Sequence, residues 1–211
     1  MNRLFIENSN IILRKILNKE ENLDIVKNLI ESILHLKLKR IIIRPYLGTK
    51  VKYLPEEEKY GIVNVRVINE NEKEFNVGIQ IIDGFYMQEK LITYAASIHV
   101  NQIEYEDHKD TTDTLTINIL DFKGFGTPTH HKVVTFFERD NQNNVEMRDE
   151  IKLHVLELPS FTEAVSRTPE EEWIQYFKGD NTELIDKIKE RNPAINKLDE
   201  KLKAYWKNED I

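Results

Sequence analysis

The feature that most constrains the fold is a run of alternating residues at positions 60–82, YGIVNVRVINENEKEFNVGIQII. Alternation with a period of two is typical of β-strands, because successive side chains point to opposite faces of a sheet. The polar stretch around Asn71 divides the run into two strands and predicts a hairpin. The alternation also assigns the faces of the first strand, one with Val63, Val65 and Val67 and the other with Ile62, Asn64, Arg66 and Ile68.

The position of the hairpin turn sets which residues of the two strands face each other. A turn near Asn71 places Asn64 opposite Gly78, and Gln80 then lies on the same face as Gly78. A register shift of one residue would move these side chains to the other face. Asparagine and glycine are both depleted in strands, so this pair of positions requires an explanation.

The rest of the chain alternates between helical and strand patterns. Apolar residues at three- and four-residue spacing predict helices over 9–18, 22–36 and 86–103. Apolar and β-branched runs predict strands over 40–46, 114–122, 132–140 and 150–159. We expect the first of these strands to be buried and the second to be central. The polar NQNN segment at 141–144 predicts a loop.

Three short helices are predicted after Pro159. The TPEE segment at 168–171 combines an N-cap hydroxyl, a proline at the first helical position and a capping-box glutamate. Asp180 and Asn192 begin two similar signals. The order of elements predicts an α/β fold with a mixed central sheet flanked by helices.

Composition favours a soluble protein of the cytoplasm. The 211 residues include no cysteine, which excludes a disulfide framework and thiolate chemistry. There is no run of about 18 apolar residues that would span a membrane. The first ten residues, MNRLFIENSN, lack the apolar stretch of a signal peptide.

Charge is spread unevenly along the chain, whose formal net charge is −7. Residues 1–50 contain 10 basic and 5 acidic residues, whereas 51–161 contain 11 and 20, and 162–211 contain 9 and 12. Proteins that bind nucleic acid mainly through its phosphates are normally basic. Only the N-terminal fifth could offer such a patch, and a solvated helix face explains the same charges more simply.

Five stretches carry a likeness to a known family. They are IILRKILNKEENLDIVKNLIESIL near the start, FNVGIQII, INILDF at 117–122, LHVLELPSF at 153–161 and EEWIQYFKG at 171–179. Taken in this order, between about residues 9 and 180, they resemble the recombination-promoting nuclease family, also called the PD-(D/E)XK nuclease family transposases. The third and fourth stretches resemble later strands of that family nearly residue for residue.

The resemblance implies a restriction-endonuclease-like α/β core and Mg²⁺-dependent DNA cleavage. It also implies a nuclease-like domain over residues 1–161, followed by a helical C-terminal extension over 162–211. In this class of nuclease, an Asp on one strand and a Glu-x-Lys or Glu-x-Gln on the next hold Mg²⁺ through charged oxygens, and the third group orients or deprotonates the attacking water.

Each acidic position of the family can be carried over to this sequence. The Asp of the first helix falls on Asn10, the Asp of the first hairpin strand on Asn64, and the Glu of the second strand on Gly78. Only the following glutamine remains, as Gln80. Every carboxylate that can be aligned is therefore missing, and we expect neither a catalytic site nor a cofactor.

This loss gives the leading hypothesis, a catalytically inactive family member that acts by binding. Its partner would be DNA or an active relative of the same family. The resemblance places Arg14, Lys15 and Lys90 where this fold could contact a phosphate backbone.

Two alternatives stay open. In the first, the chain is an active endonuclease with a relocated Mg²⁺ site, for which Asp83 is the nearest substitute carboxylate and Glu74 lies at the other end of the hairpin. In the second, the chain is an interaction module whose last helix forms an oligomer contact through Leu198, Leu202, Tyr205 and Trp206.

No other motif predicts chemistry. His130 and His131 are adjacent, and neighbouring strand residues point in opposite directions, so we do not expect them to bind one metal ion. The other histidines show no ligand spacing; they are His35, His99, His108 and His154. The FKGFG segment at 122–126 predicts a turn and not a phosphate-binding loop.

Overall fold

The chain folds around a mixed β-sheet of six strands. The computed structural model describes residues 9–44, 63–82, 87–103, 112–139, 144–146 and 150–209. The strands of these residues are β1 (Leu38–Ile43), β2 (Val63–Asn69), β3 (Glu74–Ile82), β4 (Asp113–Leu120), β5 (His131–Val134), β6 (Phe137–Arg139), β7 (Asn144–Glu146) and β8 (Ile151–Glu157). The main sheet has the order β1-β2-β3-β4-β8-β5. Its β3–β4 and β4–β8 pairs are parallel, and its other pairs are antiparallel.

Helices cover the two faces of this sheet. They are α1 (Ser9–Leu17), α2 (Leu23–Leu34), α3 (Met87–Ile103), α4 (Pro169–Lys178), α5 (Thr182–Arg191) and α6 (Pro193–Glu209). The predicted α/β architecture with a mixed central sheet is therefore confirmed, as are the three helices at the end of the chain. Among the described residues, none of the helices combines the length and the apolar character that crossing a bilayer requires.

The hairpin between β2 and β3 follows the predicted alternation. Val63, Val65 and Val67 have at most 1% of their surface exposed. They pack in one apolar core with residues from α1, α2 and α4–α6. Strand β4 lies in the middle of the sheet, as predicted, and its residues from Thr114 to Leu120 are all buried.

Two predicted strands differ in the structure. Strand β1 is an edge strand and not a buried one, because β2 is its one pairing partner among the described strands, and Lys39 and Arg40 are exposed. The predicted strand at 132–140 is two strands, because β5 ends at Val134 and β6 pairs with β7 in a separate two-stranded sheet. Strand β7 begins at Asn144, the last residue of the predicted loop.

The C-terminal helices begin at defined caps. At α4, the Thr168 hydroxyl accepts a hydrogen bond from the Glu171 backbone N–H at 3.2 Å and completes the predicted capping box. Helix α5 is capped by Asn181 and not by Asp180, because the Asn181 side chain accepts from the Leu184 N–H at 3.0 Å. Asn192 caps the start of α6 as predicted, by accepting from the Ile195 N–H at 3.3 Å.

Helix α3 packs on the opposite face of the sheet from the main core. Its residues Met87, Leu91 and Ala95 join a second apolar cluster with Ile82, Leu120, Leu153 and Val155 from β3, β4 and β8. Asn64, Gly78 and Gln80 lie on this same face, since they alternate with the buried valines and isoleucines of the main core. The fold therefore places α3 over the predicted site.

Candidate functional site

The structure brings together the three predicted positions of the hairpin. Asn64 pairs with Gly78 across β2 and β3, which confirms the predicted register. On the other side of β3, Thr116 lies beside Gly78 and Asn118 lies beside Gln80. These five residues form a polar strip across three strands, and we refer to them below as the polar strip.

Helix α3 fills the space beside Gly78. A Cβ atom at this position would lie 2.1 Å from Ile98 Cδ1 and 3.0 Å from the Tyr94 hydroxyl oxygen. Both distances are shorter than van der Waals contact, and Ile98 and Tyr94 are themselves buried. The Tyr94 hydroxyl lies 3.2 Å from the Ile79 carbonyl oxygen and 3.3 Å from that of Val63, and it donates to this pair of carbonyls. A longer side chain at position 78, such as the glutamate that the family resemblance implies, would therefore require Ile98 and Tyr94 to move.

The amides of the polar strip bond mainly to their neighbours. Gln80 Nε2 donates to Asn118 Oδ1 at 2.7 Å. Asn118 Nδ2 donates to Thr116 Oγ1 at 2.8 Å and to the His154 carbonyl at 3.0 Å. Among the described residues, the Asn64 Oδ1 atom is buried and has no hydrogen-bond partner. These bonds fix Gln80 and Asn118 as structural amides within the sheet.

The residues of the polar strip do not fit the Mg²⁺ ion that the family implies. Mg²⁺ requires near-octahedral oxygen ligands, of which one or two are normally carboxylates. Gly78 offers no ligand atom, and Asn64 offers one neutral amide oxygen. The strip contains no negative charge that would offset the loss of the ion's hydration shell.

Glu74, one of the substitute carboxylates, is already paired. Its Oε2 atom accepts a hydrogen bond from Arg66 Nε at 2.8 Å and also contacts Arg66 Nη2. This ion pair neutralises the carboxylate at the end of β3 that is farthest from Gln80. Asp83, the other substitute, lies outside the described residues.

A second carboxylate, Glu157, is fully buried at the end of β8. Its Oε1 atom accepts from the backbone N–H groups of Gly124 at 2.8 Å and Phe125 at 2.7 Å. Its Oε2 atom accepts from Lys132 Nζ at 2.7 Å and Ser160 Oγ at 2.9 Å. Burial raises the pKa of Glu157, but these four donors outweigh it and hold the pKa below its ordinary value.

The FKGFG segment at 122–126 is held in place by its hydrogen bonds to Glu157. It contains no helix or strand, in agreement with the predicted turn. Two of its backbone N–H groups bind the protein's own carboxylate. Because Glu157 already accepts four hydrogen bonds, it has no free lone pair for a metal ion.

The remaining predicted positions lie on two helices. Asn10 is in α1, and its side chain lies outside the described part of the structure. Lys15 is exposed on α1, and its ammonium donates to the Tyr205 hydroxyl at 2.7 Å and lies 5.3 Å from the centre of that ring. Arg14 on α1 and Lys90 on α3 are both partly exposed. Part of the basic surface of α1 thus binds α6.

A group that the sequence did not predict lies at the other end of the sheet. Within the described residues, His35, His131 and Glu170 are the one set of three whose ligand atoms all lie within 4.8 Å of one another. His130 also contacts Glu170, with 3.3 Å between His130 Nε2 and Glu170 Oε1. The expectation that His130 and His131 point away from each other is wrong, because His130 precedes β5 and does not follow its alternation. The sequence gives no signal for this group, since its members come from three distant segments.

Comparison with known proteins gives one result that covers nearly the whole chain. The family model described as "PD-(D/E)XK nuclease family transposase" matches residues 11–210. No curated protein and no solved structure shows significant similarity to the chain. The mixed sheet with flanking helices is consistent with the restriction-endonuclease-like α/β fold of that family. The chain therefore belongs to the PD-(D/E)XK nuclease family transposases.

Proposed function

We propose that the protein is a catalytically inactive member of this family that acts by binding. The observation that supports this most is the space beside Gly78. At the position where the family carries a metal-binding glutamate, this chain has a glycine, and Ile98 and Tyr94 occupy the volume that the glutamate needs.

The electrostatic attraction that Mg²⁺ loses without these carboxylates supports the same conclusion. Two unit charges about 4 Å apart attract each other by ~4 kcal/mol at an effective dielectric constant of ~20, and a divalent ion doubles this value for each carboxylate. Each ~1.4 kcal/mol changes an affinity tenfold. Replacing carboxylates at positions 64 and 78 by an amide and a hydrogen atom lowers the affinity for Mg²⁺ by several orders of magnitude.

The charge distribution suggests what the protein binds. The excess of basic residues lies in the first 50 positions, and Arg14 and Lys15 belong to it. Together with Lys90 they are the proposed contacts to a DNA backbone. The net charge of −7 favours the second candidate partner, an active member of the same family, which a chain of the same fold could recognise as a protein surface.

The two alternatives receive less support. The described substitute carboxylate, Glu74, is held by Arg66, and the buried carboxylate of Glu157 is held by Lys132. In α6, Leu198 and Leu202 are buried in the chain's own core, so an oligomer contact through these two residues is not supported. Tyr205 is partly buried against the same core, and the Trp206 side chain lies outside the described residues.

Plasmid cleavage tests the proposed loss of activity. We expect wild-type protein to leave supercoiled plasmid intact with either Mg²⁺ or Mn²⁺. The matched variant is Asn64→Asp/Gly78→Glu/Ile98→Ala, which restores two carboxylates and removes the side chain that blocks position 78; Asn10→Asp is a further addition. We expect Mg²⁺ to raise the melting temperature of this variant and not that of the wild type.

Two results would count against the proposal. Wild-type cleavage that is lost in Asp83→Ala would favour a relocated metal site. A folded triple variant that shows no response to Mg²⁺ would contradict the assignment of positions 64 and 78.

DNA binding is tested separately by fluorescence anisotropy with a labelled duplex. We expect an affinity that falls as salt rises and that weakens in Arg14→Ala and Lys90→Ala. Lys203→Ala, on an exposed part of α6, is the matched control. No binding to the duplex at low salt would leave the active family member as the candidate partner.

A further inference from the structure

Three histidines contact one buried carboxylate at the β5 edge of the sheet, and a fourth histidine contacts one of the three. His35 follows the last turn of α2, His130 immediately precedes β5, and His131 is the first residue of β5. His154 lies in β8, and Glu170 lies in the first turn of α4. We refer to these five residues as the histidine cluster. Its members come from four separate elements, so the tertiary fold alone brings them together.

Three atoms of the cluster form a compact triangle. His35 Nε2 lies 2.9 Å from Glu170 Oε2, and His131 Nδ1 lies 3.2 Å from the same oxygen. The three ligand atoms all lie within 4.8 Å of one another. In tetrahedral coordination with bonds of about 2.0–2.1 Å, neighbouring ligand atoms are separated by about 3.3 Å. Small side-chain movements would therefore place the three atoms around one ion.

Glu170 is a carboxylate that requires a compensating positive charge. Only 6% of its surface is exposed. Its two carboxylate oxygens contact the imidazoles of His35, His130 and His131. A buried negative charge of this kind is stabilised by a paired cation or by a metal ion.

His154 can hold His131 in the tautomer that a metal ligand needs. His131 Nε2 lies 3.0 Å from His154 Nδ1. A neutral His154 can accept a hydrogen bond at Nδ1 from the N–H group of His131 Nε2. The lone pair on His131 Nδ1 then points towards Glu170. Metal-binding histidines commonly donate their other ring N–H in this way.

The backbone conformation of His35 is also unusual. Its φ angle is 52°, in the left-handed region that non-glycine residues seldom adopt. Its side chain is 68% exposed, whereas that of Glu170 is 8% exposed. An ion entering from solvent would therefore meet the exposed imidazole first and the buried carboxylate behind it.

We propose that His35 Nε2, His131 Nδ1 and Glu170 Oε2 bind a divalent transition-metal ion of the zinc type. Imidazole nitrogens suit zinc and its first-row neighbours, whereas Mg²⁺ prefers oxygen ligands. Three protein ligands leave one tetrahedral position for water. The ion would join the end of α2, the start of β5 and the first turn of α4. This site is independent of the polar strip and of the proposed loss of nuclease activity.

The test is calorimetric titration of the full-length, chelator-treated protein at pH 7.5. The ions are ZnCl₂, FeSO₄ without oxygen, and MgCl₂. The test variant is His35→Asn, because asparagine accepts the left-handed backbone conformation better than other residues do. The matched control is His99→Asn, since His99 lies on α3 and its contact is Thr114. Circular dichroism shows that each variant is folded.

We expect the wild type and His99→Asn to bind one equivalent of Zn²⁺ and to gain about 5 °C in melting temperature at saturation. We expect His35→Asn to bind Zn²⁺ at least about 100-fold more weakly, and MgCl₂ to give no binding at the cluster. Binding of Fe²⁺ in preference to Zn²⁺ would keep the ligand set but overturn the choice of metal. A wild type that binds no transition metal, or a folded His35→Asn that binds Zn²⁺ as tightly as the wild type, would overturn the site itself.

Discussion

Gly78 is the residue on which the proposed loss of the metal site depends. The contact of α3 with this glycine is closer than any side chain would allow, because the Ile98 methyl group occupies the position of the missing Cβ. Under the proposed assignment, glycine stands in place of the family's glutamate where α3 lies directly on β3. Restoring the carboxylate alone would force apart two buried elements.

The close contact between Gly78 and Ile98 predicts that a larger residue at position 78 destabilises the fold. We expect Gly78→Ala to lower the free energy of unfolding by about 1–3 kcal/mol, because the new methyl group overpacks the core against Ile98. Gly126→Ala is the control, since a Cβ at Gly126 meets no atom within 4 Å, and we expect it to change stability by less than about 0.5 kcal/mol. Urea denaturation measures both values.

A double-mutant cycle separates this contact from other effects of alanine. We expect Gly78→Ala/Ile98→Ala to be more stable than the sum of the single changes predicts, because the new methyl group fills part of the cavity at Ile98. Equal stability of Gly78→Ala and the wild type would contradict the packing described here.

The second prediction concerns the pH dependence of Glu157. The folded state holds the pKa of this carboxyl below its ordinary value, so its contribution to stability is complete above about pH 4.5 and is lost as the pH falls through the lowered pKa. We expect Glu157→Gln to lower stability by roughly 3 kcal/mol at pH 7, because Lys132 is then buried without a counter-ion. We also expect its stability to fall less steeply than that of the wild type below pH 4.5.

The matched control for this change is Glu163→Gln. Glu163 is exposed, and its ion pair with Arg167 at 3.9 Å is also exposed. We expect this variant to follow the wild-type curve of unfolding free energy against pH. An identical acid dependence of Glu157→Gln and the wild type would show that Glu157 does not depend on its buried partners.

At the scale of elements, the C-terminal helices complete the main core. Trp173 of α4 is fully buried, and its indole Nε1 donates to Asn28 Oδ1 of α2 at 2.9 Å. Lys197 of α6 donates to the Glu21 carbonyl at 2.6 Å and to Asp24 Oδ1 at 2.7 Å. The helices after residue 162 therefore pack on the apolar surfaces of α2 and of the sheet. Without these helices, the same apolar surfaces would be exposed to solvent.

The third prediction tests this role of α6. We expect Leu198→Ala to lower the free energy of unfolding by about 2–5 kcal/mol, since Leu198 is fully buried in the main core. Lys203→Ala, on the exposed side of the same helix, should change it by less than about 0.5 kcal/mol. A Leu198→Ala variant with unchanged stability but a smaller mass in size-exclusion chromatography would instead favour an oligomer contact.

Local patterns predict the elements whose partners are near in sequence. The β2–β3 register follows from the alternation and the position of one turn, and the caps at Thr168 and Asn192 follow from short-range hydrogen bonds. The break after Val134 cannot be predicted in this way. In the β5–β8 pair, Val134 lies opposite Leu153, and β8 begins only two residues earlier, so the chain continues into a pair with β7.

The site itself could be predicted only in part. The family resemblance gives positions 64, 78 and 80, but nothing in the sequence indicates that Ile98 would fill the space beside Gly78. The histidine cluster joins residues 35, 131 and 170, which no sequence spacing connects. Both features depend on how helices pack on the sheet, and that packing is set by the whole core.

In the whole molecule, the polar strip and the histidine cluster are two separate groups of residues on one sheet. The polar strip lies under α3 and contains no charged side chain, whereas the histidine cluster lies at the β5 edge and combines a buried carboxylate with imidazoles. A hard ion such as Mg²⁺ has no charged ligand at the first place, and a transition-metal ion has suitable ligands at the second. Binding of DNA or of a related chain would require neither ion.

Crystals soaked in Mn²⁺, which replaces Mg²⁺ in nuclease sites, test the proposed loss of the metal site through an anomalous difference map. We expect no manganese peak between β2, β3 and β4 near Asn64 and Gln80. A well-occupied peak there, coordinated by either of these side chains, would contradict the proposed loss.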